Sequence, residues 1–142
     1  MRNPTILTAD PDLYATLVEA AVQQRDVAAL REYTPLLEEA ATPLEHDLYL
    51  AIANRAWGVL RRLEGQNREA EVRLEQAADV FRGLDTRWQL GRTHFELGEL
   101  AANESETTRA IQHYSRALNL FEEMGAVPDA ERTRESISKL TA

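Results

Sequence analysis

Apolar residues recur at helical spacing through most of the chain. Ala110, Tyr114, Ala117 and Phe121 lie three or four positions apart, which places them on one face of an α-helix. The chain has only six Gly and five Pro, whereas residues that favour helices, such as Ala, Leu, Glu, Arg and Gln, are abundant. This pattern predicts an all-α protein.

The same pattern occurs twice, at an offset of 40 residues. The residues shared by the two copies are mostly small or apolar, and such residues determine how closely two helices pack, whereas the charged residues between them differ. The identical pairs are Leu50 and Leu90, Gly58 and Gly98, Leu60 and Leu100, Glu64 and Glu104, Ala70 and Ala110, Ala77 and Ala117, and Phe81 and Phe121. The offset extends forward into one further helix and backward into a divergent first unit.

Within each copy, two helical segments meet at a short polar break. In the middle unit they are predicted at about 45–63 and 68–84, and in the next unit at about 86–102 and 107–124. The sequence therefore predicts seven helices in a single domain. Its parts are an N-terminal tail (1–9), a divergent first repeat (10–44), a second repeat (45–85), a third repeat (86–126) and a capping helix (127–142) that covers the open apolar end of the last pair.

On the first helix of each pair, a large apolar residue precedes glycine, as in Trp57-Gly58 and Leu97-Gly98. Together with the Ala and aromatic stripe on the second helix, this arrangement resembles the tetratricopeptide repeat (TPR), whose usual unit has about 34 residues. The 40-residue period looks more like a longer variant found in large bacterial regulators and signalling ATPases. The resemblance implies a right-handed α-solenoid of three helical hairpins followed by a capping helix.

In TPR proteins the first helices line a concave groove that holds a partner protein, and the resemblance implies which residues line it here. They are Ile52, Arg55, Val59 and Arg62 in the second repeat, Arg92, Phe95, Glu96 and Glu99 in the third, and Arg132 and Glu135 on the capping helix. The Lys and Asn residues with which some TPR proteins clamp a terminal carboxylate are absent at the matching positions, which disfavours an adaptor of that kind.

The arginines of this groove predict a basic strip, so the expected partner is an acidic or mixed-charge segment of a protein or peptide. In the alternative interpretation, the arginines only form surface ion pairs with Glu96, Glu99 and Glu135.

The overall charge and the cysteine content exclude other classes of partner and site. The net charge of −8 repels nucleic acid and anionic membranes. The chain has no cysteine, so it forms neither disulfides nor thiolate metal sites. The N-terminus lacks the apolar core of a signal peptide, and no apolar run approaches the ~20 residues of a membrane span. These features predict a cytoplasmic protein.

Residues that could support catalysis are few. His94 and His113 could bind a metal or act as a base if they met across the third helical pair, but the favoured interpretation is that both are partly exposed helix residues. Trp57 and Trp88 are expected to pack in or near the core rather than to stack on a ligand. Gly-rich phosphate loops and the GxSxG and HExxH motifs are absent. The sequence therefore predicts a protein that is not an enzyme and uses no cofactor or metal.

The favoured function is a scaffold that binds a protein or peptide in the groove. The alternative is a regulatory or sensor domain of a larger bacterial signalling ATPase, cyclase or transcriptional regulator, in which the groove binds a small molecule or signal peptide. Self-association into a homo-oligomer through an uncovered N-terminal face is a further alternative.

Overall fold

The computed structural model describes residues 10–142, and the regular structure within them is entirely α-helical. The helices are α1 (Pro11–Gln24), α2 (Val27–Ala41), α3 (Asp47–Leu63), α4 (Asn67–Gly83), α5 (Arg87–Asn103), α6 (Thr107–Met124) and α7 (Val127–Thr141). The prediction of an all-α chain with seven helices is confirmed for this part of the protein. The N-terminal tail predicted for residues 1–9 lies outside the described residues.

The helices α3 to α6 begin and end within two residues of their predicted positions. The agreement is closest for α6, which runs from Thr107 to Met124 as predicted. Its apolar stripe continues to the last turn with Phe121, so the sequence pattern marks both ends of the helix.

Each of the first six helices is followed by one residue with a positive φ. These residues are Arg25, Glu45, Gly65, Asp85, Ser105 and Gly125, one every 20 residues. In each turn the next amide donates to the carbonyl five residues earlier, as Gln66 N does to Arg61 O at 2.8 Å. This hydrogen bond is typical of the Schellman motif that ends many helices. The 40-residue repeat therefore consists of two segments of 20 residues, each made of one helix and the turn that follows it.

The chain divides into two compact units, one ending at Arg73 and the other beginning at Leu74, so the division falls within α4. In the described part of the first unit, α1, α2 and α3 pack against one another. Its buried apolar residues are mostly aliphatic and include Val18, Leu30, Leu37, Ile52 and Val59.

In the second unit, α6 packs against both α5 and α7. The predicted stripe is confirmed, because Ala110, Tyr114, Ala117 and Phe121 are all buried in one core cluster. The matching residues of the preceding repeat, Ala70, Leu74, Ala77 and Phe81, are fully buried as well. On α7, Ala130 belongs to the cluster, and Ile137 and Leu140 pack against it.

Candidate functional site

The predicted groove residues on α3 are mostly inaccessible. Ile52, Arg55 and Val59 are buried, and Arg62 is half-buried. A partner contacts only what is exposed, so the surface available on this helix is smaller than the sequence predicts.

A buried ion pair joins α3 to α1. Arg55 Nη2 donates to Glu19 Oε1 at 2.7 Å, and the Arg55 side chain is 0% exposed. Burying a guanidinium costs several kcal/mol unless a partner neutralises it, so Arg55 is part of the interior of the first unit. The prediction of an exposed basic strip is wrong for Arg55, because its side chain is buried.

The predicted groove residues on α5 are also largely buried. Arg92, Phe95 and Glu96 are buried and Glu99 is half-buried. The Arg92 guanidinium lies over the ring of Trp88, 4.8 Å from the ring centroid. Such a cation–π contact favours a fixed position for both side chains. The exposed basic strip is therefore wrong for Arg92 too.

Trp88 and Glu99 form further hydrogen bonds within the second unit. Trp88 is 37% exposed, and its Nε1 donates to Asp129 Oδ2 at 2.9 Å. Glu99 Oε2 accepts a hydrogen bond from the Tyr114 hydroxyl at 2.8 Å. Partly covered packing of Trp88 agrees with the sequence prediction.

The exposed members of the predicted groove lie on α7. Arg132 and Glu135 are exposed there, beside a surface cavity of about 730 Å³. We call the residues that line this cavity the α7 surface; they are Pro128, Glu131, Arg132, Arg134, Glu135, Ser138 and Lys139. The helix places these residues on adjoining turns, since positions three and four apart are neighbours on a helix.

The charges of the α7 surface are mixed and partly paired within the chain. Arg132 lies 3.7 Å from Asp129, and Arg134 forms an ion pair with Glu122 at 2.5 Å. Glu131, Arg134 and Ser138 are absent from the groove predicted by the TPR resemblance. Their spacing of three and four residues along an exposed helix face is the signal that could have found them.

His94 on α5 and His113 on α6 meet inside the second unit. Their Nδ1 atoms are 3.2 Å apart, and their rings stack with centroids 5.4 Å apart. The side chains are buried, at 5% and 8% exposure. One ring donates its Nδ1–H and the other accepts through its Nδ1 lone pair, so the accepting ring must be neutral. The favoured interpretation of both residues as partly exposed is therefore wrong.

The surroundings of this pair disfavour a positive charge. Burial, together with the smaller effects of His113, Arg116 and Arg82, lowers the pKa of His94 to about 4. Burial, together with the smaller effects of Arg116 and Arg109, also lowers the pKa of His113 to about 4. Cations that repel a proton also repel a metal ion. Within residues 10–142, no group of three or more His, Cys, Asp or Glu side chains is arranged to hold a metal.

The fold and these surfaces define a helical-repeat protein. The family model of soluble NSF attachment protein (SNAP) matches residues 55–142, which is more than half of the chain. The chain therefore belongs to the SNAP family. No curated protein matches it.

Two solved structures share the fold. Aspartyl phosphate phosphatase F from Bacillus subtilis superposes with a TM-score of 0.78 at 17% identity, over 92% of this chain and 34% of the phosphatase chain. BtubC (BKLC) from P. vanneervenii superposes with a TM-score of 0.61 at 16% identity, over 93% of this chain and 65% of BtubC. The protein thus spans about a third of the first and less than two thirds of the second. At these identities the likeness shows the fold alone.

Among helices α1 to α7, none combines the length and the apolar character needed to cross a membrane.

Proposed function

We propose that this protein is a non-catalytic scaffold that binds a partner protein through the α7 surface. One observation carries the proposal: Arg132 and Glu135 are exposed beside a cavity of about 730 Å³, whereas most other predicted groove residues are buried. Family membership supports it, because the family is named for attachment to another protein and its model includes all of α7.

The charges of the α7 surface favour a partner segment of mixed charge. Arg132, Arg134 and Lys139 offer donors to carboxylates, while Glu131 and Glu135 offer acceptors to basic residues. An exposed ion pair contributes only about 0 to 1 kcal/mol, so several such contacts must act together. Because exposed charges are screened by salt, the affinity should decrease as the ionic strength rises.

We also assign the repeats to the longer TPR type, with a helix and its turn as the basic step. The positive φ at every 20th residue supports this assignment, since it gives both helices of each pair the same length of chain. The cytoplasm is the proposed location, which the absence of cysteine supports.

Affinity capture from a lysate of the source organism tests the proposal. The bait is the full chain, compared with Arg132→Glu combined with Lys139→Glu, which reverses two charges of the α7 surface. The control is Arg68→Glu combined with Arg87→Glu, which makes the same charge change at exposed positions elsewhere. We expect proteins captured by the wild type and the control to be lost from the α7 variant. Equal capture by all three baits would contradict a site on α7.

A regulatory domain of a larger protein is the second candidate. The observation in its favour is that the chain matches only 34% of the phosphatase structure, so this fold also occurs as one part of a longer chain. The complete gene distinguishes the two candidates, because a sensor domain requires a fused ATPase, cyclase or DNA-binding segment.

A further inference from the structure

We propose that the His94–His113 pair makes the second unit sensitive to acid, because a proton added to either imidazole separates α5 from α6. This device is independent of the proposed partner binding. It rests on the position of the pair, which is buried where the two helices meet.

The geometry of the pair accommodates one proton between the rings and no more. With Nδ1 atoms 3.2 Å apart, one nitrogen must carry the hydrogen and the other must present its lone pair. An imidazolium carries hydrogens on both of its nitrogens. If the accepting ring is protonated, two N–H groups face each other and the hydrogen bond is lost. If the donating ring is protonated, a buried charge is created beside its partner.

The charged groups that act on the pair from its neighbouring helices are cations. Arg82 acts from α4, and Arg109 and Arg116 act from α6. The carboxylates next to two of these cations are already paired, Asp79 with Arg82 at 2.9 Å and Glu106 with Arg109 at 3.6 Å. A buried charge without a neutralising partner is strongly destabilising. His113 already borders a surface cavity together with Arg109 and Arg116, but a proton taken up there lies beside these cations, so acid favours conformations in which the two helices part.

The pH range follows from the direction of the shift. An imidazole in the unfolded chain binds its proton near pH 6.5, whereas in the folded protein the pKa of both rings is lowered to about 4. Between these values the unfolded state holds more protons than the folded state. The stabilising effect of the neutral pair is complete above pH 6.5 and is lost progressively as the pH falls toward 4.

Urea unfolding of the full chain tests the proposal. It is measured at a series of pH values between roughly 7.5 and 5, the range in which the pair should change stability. The matched variant is His94→Gln combined with His113→Gln, which replaces the pair with two amides that hydrogen-bond but do not titrate. Below pH 6, the folding equilibrium constant of the wild type should decrease by about 100-fold per pH unit relative to that of the variant. Each of the two histidines contributes about 10-fold to this decrease. Equal pH dependence of both proteins would overturn the proposal.

Two further measurements complete the test. Arg116→Gln removes an exposed cation that lowers the pKa of both rings, so it should reduce the acid sensitivity. If the double glutamine variant does not fold, NMR titration of the imidazoles in the wild-type protein decides the question. Both rings should remain neutral at about pH 5.5 in the folded state, and titration of either ring near its ordinary value of 6.5 would overturn the proposal.

Discussion

The ring of Tyr114 on α6 lies directly against the backbone of Gly98 on α5. A Cβ atom built on Gly98 would stand 2.6 Å from two atoms of that ring, a distance that real Cβ atoms essentially never reach. Phe121 and Gly91, one layer along the same two helices, are in the same relation at 2.8 Å. The glycines therefore let the aromatic side chains of α6 pack against the axis of α5.

Gly98→Ala should lower the free energy of unfolding by about 1 to 2 kcal/mol, measured by urea denaturation. Alanine favours a helix by about 1 kcal/mol over glycine, but the added methyl group overpacks a rigid ring. Gly83→Ala is the matched control, because nothing lies within 4 Å of a Cβ atom at that position. The control should be neutral or stabilising. Equal effects of the two substitutions would contradict the proposed packing.

Ser105→Gly should stabilise the protein by about 0.5 to 1 kcal/mol. Ser105 has a φ of 60°, a conformation that costs residues with a Cβ about 1 kcal/mol or more and that glycine adopts freely. The reverse change at the equivalent turn, Gly125→Ala, should be destabilising by about 1 kcal/mol, since Gly125 has a φ of 70°. Thermal unfolding of both variants measures the effects, and destabilisation by Ser105→Gly would contradict the argument.

Arg55→Ala should reduce the free energy of unfolding by about 3 kcal/mol or more, because it removes a buried guanidinium and leaves Glu19 without this partner. Arg31→Ala is the comparison, since Arg31 forms an exposed ion pair with Glu64 at 2.8 Å. That change should cost less than about 1 kcal/mol. Similar losses in both variants, measured by urea denaturation, would show that burial does not determine the strength of the Arg55 pair.

The burial of Arg55 and Arg92 determines how reversing their charges affects the melting temperature. If Arg55 were exposed, Arg55→Glu with Arg92→Glu would leave the melting temperature nearly unchanged. Because both side chains are buried, the double variant should instead be strongly destabilised. Circular dichroism at increasing temperature distinguishes the two outcomes, and only the exposed residues of the α7 surface are suitable for charge reversal.

Alkaline pH should destabilise the second unit through Tyr114. Burial raises the pKa of the Tyr114 hydroxyl above its ordinary value of 10, and the Glu99 carboxylate that accepts its hydrogen bond adds to the effect. The unfolded state therefore loses this proton first, so stability falls as the pH rises above 10. Tyr114→Phe should cost about 1 to 2 kcal/mol at neutral pH and weaken this alkaline loss. An unchanged alkaline loss in the variant would show that Tyr114 is not its source.

The helices were predictable because their signal is local. Ala110, Tyr114, Ala117 and Phe121 indicate one buried face by their spacing alone, and the structure buries all four. The buried polar residues were not predictable in the same way. Arg55 meets Glu19 from 36 residues away, so its partner depends on how the helices pack. The meeting of His94 with His113, which the sequence offered only as an alternative, depends on the packing in the same way. A charged side chain without its partner resembles a surface residue in any sequence pattern.

Each of the two compact units contains one tryptophan, which serves as an intrinsic fluorescence probe of that unit. Trp57 belongs to the first unit, with the guanidiniums of Arg61 and Arg73 at 5.1 and 5.9 Å from its ring centroid, and Trp88 belongs to the second. Because the chain has no other tryptophan, Trp57→Phe leaves an emission spectrum that reports on the second unit alone, and Trp88→Phe leaves one for the first. The loss of structure in each unit can thus be followed separately by intrinsic fluorescence in an otherwise intact chain.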